Sequence, residues 1–336
     1  MVVTTVVGGE QERTRASLGT AAIALGSCVA GIPVKLHYTF FLLLLLEVVS
    51  SLLNFSIDEG KYPMYIVLIV ILYGPILLIT ILVHEFGHAL MNKRLGGTVD
   101  EIVLWPLGGF AICGPVELLS GDLKVALAGP ATHIPMILLW WVIYLITKGG
   151  EEGLWPSDTI YLDILSTPKG FFEMLSSQAV YMNIILFCFN LLIPAYPLGV
   201  WCVTIIFPST YLLFFLYNSQ KHIHRLDGGR VYAACLILVV KLKAQAAAEV
   251  TAITAMLISG GMILYAVISF FKTTYGNELF LGLVGVFVFY ESYELWTAAR
   301  RNELEGHSIF GRKCYQDAVA PSTGTATTQN AETEIV

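Results

Sequence analysis

Long apolar runs, broken by short polar stretches, set the pattern of this chain. A helix needs about 20 predominantly apolar residues to cross the hydrocarbon core of a bilayer. Runs of that kind fall at roughly His37–Leu53, Met64–Leu90, Val125–Ile146, Ala179–Leu198, Ala247–Phe271 and Leu279–Trp296. Two further apolar stretches, Gly199–Tyr217 and Val231–Val240, flank a basic segment and Asp227-Gly228-Gly229, and the second has the length of a half-helix. Between the second and third runs the pattern changes. Gly96–Gly121 holds two β-like pieces, Val99–Trp105 and Gly109–Ile112, around Pro106 and a Gly108-Gly109 turn. This predicts a small hairpin or re-entrant element, which must be covered by protein wherever it dips into the bilayer. The stretch after Arg301 is polar and becomes Ser/Thr/Ala-rich, a composition that predicts disorder. The expected fold is an all-α polytopic membrane protein of about six transmembrane helices, with a small membrane-associated β element between spans 2 and 3. Residues 1–30 form an N-terminal segment, 31–300 the transmembrane unit and 301–336 the tail.

Composition agrees with that class. The chain has 336 residues, 56% hydrophobic and 13% charged, with mean hydropathy +0.72. Soluble domains are about a quarter charged. No basic stripe points to nucleic acid. The six cysteines are scattered without a CxxC pair and read as packing residues. The first thirty residues lack a clean secretory leader pattern. With a cytosolic N-terminus and six spans, most Lys and Arg fall on the cytosolic side, including Lys93, Arg94, Lys241, Lys243, Arg300 and Arg301. The opposite side keeps only Lys61, Lys148, Lys169 and Lys272, and carries the acidic residues Glu151, Glu152, Asp158 and Asp163. That asymmetry follows the positive-inside rule. It sets both termini and residues 84–88 toward the cytosolic, stromal or matrix face.

His84-Glu85-Phe86-Gly87-His88 closes the second apolar run. On a helix, HExxH puts two imidazoles one turn apart, the spacing that grips zinc, with Glu85 placed to act as general base. Ionisable residues at membrane depth are costly and therefore functional candidates. The plain alternative is an amphipathic helix end with two interfacial histidines. Gly87 would let a neighbouring backbone come close. A catalytic zinc needs a third protein ligand. Asp227, before a Gly228-Gly229 turn, is the leading candidate, although an Asp at a helix start is also an ordinary cap. Glu47 and Glu249 compete, but neither has a glycine turn beside it. Asn190 and Pro194 interrupt the fourth run, and an Asn there can bond an unwound or extended backbone as readily as a kinked helix. His133 reads as a buried hydrogen-bonding residue rather than a ligand.

Five segments in order resemble the site-2 protease family of intramembrane zinc metalloproteases, in its compact sporulation-protease-like branch. They are Gly31–His37, His84–Leu90 (HEFGHAL), Leu104–Ala111 around Pro106, Val125–Pro130, and Phe189–Leu198 (FNLLIPAYPL) with Asp227–Arg230 (DGGR). The resemblance implies that one zinc ion is bound by His84, His88 and Asp227, with Glu85 activating water. It implies that Asn190, Gly108 and Gly109 help hold an unwound substrate strand. The partners it implies are a transmembrane protein substrate and the lipid bilayer, with no nucleic acid.

The chain also departs from the family pattern. Asn190 and Pro194 are one residue further apart than is commonest in the family, and His133 stands where Asn is frequent. Gly199–Leu226 separates Pro197-Leu198 from Asp227-Gly228, which run together in the family. Two readings of that insertion stand: a lineage-specific loop, or translated intron sequence. The function expected is a zinc-dependent intramembrane endopeptidase. The alternative is an inactive relative that binds membrane proteins because the insertion displaces Asp227. A transporter fits poorly with such charge-poor spans. A prenyl-protein-type protease would need an ExxxH or ExxxD motif that neither Glu249 nor Glu291 begins.

Overall fold

The computed structural model describes residues 22–27, 30–54, 62–105, 108–149, 153–156, 160–161, 163–192, 227–272, 277–307 and 309–318. Ten helices and four strands lie among them. In chain order they are β1 (Ala22–Ser27), β2 (Pro33–His37), α1 (Thr39–Asn54), α2 (Tyr62–Ile71) and α3 (Leu77–Arg94). Then come β3 (Val99–Trp105), β4 (Gly108–Cys113), α4 (Leu119–Ala131), α5 (His133–Lys148) and α6 (Pro168–Leu192). After the undescribed 193–226 follow α7 (Asp227–Leu238), α8 (Ala244–Lys272), α9 (Asn277–Arg301) and the short α10 (Lys313–Asp317).

Among the described residues, four helical stretches are long and apolar enough to cross a membrane: Pro63–Arg94, Leu119–Lys148, Pro168–Cys188 and Ala244–Ser269. The first joins α2 to α3 through a wider π-type turn at Leu72–Ile76. Pro75 lies inside it, where the missing N–H and the bulk of the ring would break a regular α ladder. The second stretch is broken only at Thr132, between Pro130 and His133. α6 begins well before the expected Ala179, because Ser176 satisfies its hydroxyl on the Phe172 carbonyl and so tolerates helical burial.

The β element is larger than a hairpin between two spans. Its four strands lie in the order β1-β2-β3-β4, with β2 parallel to β3 and the other pairs antiparallel. β1 and β2 come from the stretch expected to be an N-terminal segment and the approach to the first helix. The reason is a period of two: Val34 and Leu36 are buried, while Lys35 turns out to pair with Glu101 of β3 at 2.6 Å. The inner face of the sheet packs Ile32, Val34, Leu36, Ile102 and Leu104 against Ile76, Leu77, Ile81 and Phe86 of the long helix. Asn92, fully buried, donates to the Thr98 carbonyl and ties the helix end to β3.

A second core joins α7, α8 and α9 with Leu119 of α4 and with Ile309, Phe310, Cys314 and Tyr315. Part of the stretch expected to be disordered is therefore folded. Its aromatic and aliphatic side chains, few but closely spaced, bury against the small alanines of α7 and α8.

Candidate metal centre

In an α-helix, successive residues turn about 100°, so His84, Glu85 and His88 share one face of roughly 100°. All three are buried. α4 crosses close against that face because both helices carry glycine where they meet. A Cβ on Gly87 would stand 2.5 Å from the Ala128 carbonyl oxygen, and one on Gly129 would enter the His88 ring. Gly87 thus has the role expected of it.

Neighbours fix which nitrogen of each ring carries the proton. His88 Nδ1 lies 2.7 Å from the Val125 carbonyl, so it donates and leaves Nε2 as a lone pair. The His84 side is set by a relay. Asn183 donates its amide nitrogen to the Ala179 carbonyl at 2.9 Å, which turns its oxygen toward His133 Nδ1 at 3.0 Å. His133 therefore donates from Nδ1 and accepts at Nε2 from His84 Nδ1, 3.1 Å away. His84 Nε2 is then also a lone pair. His133 is the hydrogen-bonding residue the sequence pointed to. Asn183 was not anticipated. The available signal was its position seven residues before Asn190, on the same face of an apolar helix.

Asp227 opens α7 and brings Oδ2 to 3.3 Å from His84 Nε2 and 3.0 Å from His88 Nε2, while the two imidazole nitrogens are 3.1 Å apart. These are the three residues able to share a metal ion among the described residues. With neutral imidazoles, three electron-rich atoms meet with no proton between them, an arrangement that a cation stabilises. Ligands at about 2.0–2.1 Å around a tetrahedral zinc are spaced about 3.3–3.4 Å apart, close to the observed triangle. The donor set, two imidazoles and one carboxylate, fits zinc and leaves a position open.

Glu85 points toward the sheet, where its Oε2 accepts the Ala111 N–H of β4 at 2.9 Å. A Cβ on Gly109 would run into the Glu85 side chain, so glycine there permits the strand's approach. Gly108 is a strand residue paired with Trp105. Asn190 sits half-buried in the last turn of α6. Glu249 is engaged by Arg300 at 3.5 Å rather than by the histidines. Pro194, the insertion 199–226, His222 and His224, and the side chain of Glu47 lie outside the described residues.

A buried centre of two histidines from a membrane-length helix and one carboxylate from α7, with a glutamate beside it, is a site that could hold a metal ion. No protein-family model matches the chain. The chain is 32% identical over 102 residues to the zinc metalloprotease MJ0392 of Methanocaldococcus jannaschii, covering 30% of this chain and 26% of that protein. It is 31% identical over 130 residues to Rip3 of Mycobacterium tuberculosis, covering 38% of this chain and 33% of that protein. The match therefore spans only about a quarter to a third of the length of these curated relatives. A solved site-2 protease from Methanocaldococcus jannaschii is 22% identical, with TM-score 0.43, over 82% of this chain and 95% of that one. These partial likenesses are to two proteins named as zinc metalloproteases, the class of protein that the two-histidine motif of the sequence pointed to. The chain is an integral membrane protein.

Proposed function

We propose that this chain is a zinc-dependent endopeptidase that hydrolyses peptide bonds in or near transmembrane segments of other membrane proteins. The observation that carries this reading is the meeting of His84 Nε2, His88 Nε2 and Asp227 Oδ2 within 3.0–3.3 Å on a membrane-length helix, next to Glu85. One zinc ion, held by those three atoms, would polarise the scissile carbonyl and the attacking water. Glu85 takes a proton from the water as oxygen adds to the carbonyl carbon. As the C–N bond breaks, it passes that proton to the leaving nitrogen. Its Oε2 is occupied by Ala111, which leaves Oε1 for the proton.

A helical peptide bond is shielded by its own hydrogen bonds, so the substrate must unwind locally. β4 is an edge strand, and Ala111 already turns its N–H away from β3. An extended substrate segment can add along the stretch containing Gly108 and Gly109, with Asn190 receiving further freed backbone groups. Six spans over a transmembrane unit at 31–300, with α1 and α9 as the first and last, would put both termini and the zinc on the cytosolic, stromal or matrix side. The inactive-relative alternative presumes a displaced Asp227 and finds no support, since Asp227 stands at the histidines.

The test is cleavage of a tagged transmembrane peptide by purified protein in detergent. Glu85→Gln should keep its zinc and lose roughly 10²–10⁴-fold in rate. A chelator should stop the wild type and added zinc restore it. Undiminished cleavage by Glu85→Gln overturns the reading.

A further inference from the structure

Asp122, in the first turn of α4, is 2% exposed, yet three groups from distant parts of the chain converge on it. Arg230 donates from Nη2 to Oδ1 at 2.6 Å and from Nε to Oδ2 at 3.4 Å. Arg312 donates from Nη1 to Oδ1 at 2.7 Å. Tyr315, itself without exposed surface, donates its hydroxyl to Oδ2 at 3.0 Å and lies 3.3 Å from the Arg230 carbonyl. Burial and the adjacent carboxylate push the Tyr315 hydroxyl's pKa well up, so it stays a donor at any physiological pH. Arg230 is also one helical turn after Asp227, and its Nη1 lies 3.9 Å from Asp227 Oδ1. The two oxygens of Asp227 thus face different ways: Oδ2 toward the histidines, Oδ1 toward Arg230.

The cluster contains two guanidiniums and two carboxylates, a balance that suits a buried site. Removing Arg312 leaves Arg230 as the one guanidinium serving both carboxylates. Arg230 can then follow Asp122 or Asp227, and the lateral hold on the third metal ligand weakens.

We propose that the C-terminal segment 309–317 is a positioning element of the metal centre: Arg312 and Tyr315 lock Asp122, Asp122 locks Arg230, and Arg230 sets the orientation of the Asp227 carboxylate. None of these four residues touches the metal position. This inference rests on His84, His88 and Asp227 being the zinc site. It assigns a task to a polar stretch beyond the last long helix, and it accounts for a buried aspartate that hydrolysis does not use. It also gives Asp227 a support independent of residues 199–226.

The experiment uses full-length purified protein, zinc, and a competing chelator with a spectroscopic readout of zinc transfer. The variants are Arg312→Ala, Arg312→Lys and Tyr315→Phe, with the melting temperature of each metal-free protein as the control for folding. Arg312→Ala and Tyr315→Phe should surrender zinc at a chelator concentration about ten-fold lower than the wild type, the lower end of the effect of groups that orient ligands. Arg312 contacts Asp122 through one nitrogen, so Arg312→Lys should restore most of the retention. A purely structural role would lower the metal-free melting temperature and leave zinc retention of the folded protein unchanged, and that result overturns the proposal. Should Arg312→Ala fail to fold, Tyr315→Phe, which removes a single hydroxyl, decides alone. Wild type that binds no zinc, or keeps it after His84→Ala, refutes the metal-site reading itself. Wild type that binds zinc, with variants that hold it equally well, refutes only the positioning role.

Discussion

Replacing His133 with Leu separates orientation of a metal ligand from ordinary packing. His133 is 1% exposed, and its two ring nitrogens join His84 Nδ1 at 3.1 Å to Asn183 Oδ1 at 3.0 Å. Leucine fills much of the same volume but bonds neither neighbour. In a water-soluble core, the two orphaned groups would cost about 1–3 kcal/mol each. Between membrane helices such bonds average about 0.6 and reach about 1.7 kcal/mol, so the expected total is about 1–4 kcal/mol. That fits within a typical folding stability of about 5–15 kcal/mol, so the variant should still fold. The effect on zinc should be larger in proportion. Without an acceptor at Nδ1, His84 can carry its proton on Nε2, the atom that faces Asp227 and His88, and ligand-orienting partners are worth roughly 10–100-fold in affinity. Zinc competition should therefore show such a loss in His133→Leu, and a smaller one in His133→Asn, whose amide oxygen can still accept from His84. Thermal unfolding of the metal-free proteins measures the packing share. A folded His133→Leu protein that binds zinc within about two-fold of wild type would refute the relay.

Three further outcomes are expected. Gly129→Ala drives a methyl group into the His88 ring, so it should cost about 1–3 kcal/mol in unfolding experiments and reduce bound zinc, because His88 must turn away from Val125. Cys113 on β4 has its thiol pushed up to about 12, first by burial and then by the Glu85 carboxylate. The neutral thiol is favoured in the folded protein, so maleimide or iodoacetamide labelling at pH 8 should be slow until denaturant is added; equal rates with and without denaturant would contradict that placement. Lys35→Ala breaks the cross-strand pair with Glu101, but both side chains keep solvent contact, and the melting loss should correspond to less than about 1 kcal/mol.

What the sequence determined by itself is what local spacing encodes. The i, i+4 histidines with Glu85 between them share one helical face whatever surrounds them, and apolar length alone marks Pro63–Arg94 as able to cross a membrane. Asp227 was legible as a candidate because a carboxylate before two glycines is unusual in an apolar chain. Its selection over Glu249 required tertiary structure, since Glu249 is taken by Arg300 and only packing brings Oδ2 of Asp227 to both imidazoles. Pro33–His37 is too short to announce itself as a strand, and its period of two became visible once β3 lay alongside. The tail's composition concealed Ile309, Phe310, Arg312 and Tyr315, four residues whose value comes from partners far away in sequence. Asn183 and Asp122 escaped for the same reason. A hydrogen bond or ion pair across fifty to two hundred residues leaves no periodic trace, so long-range polar contacts are decided only when the helices have packed.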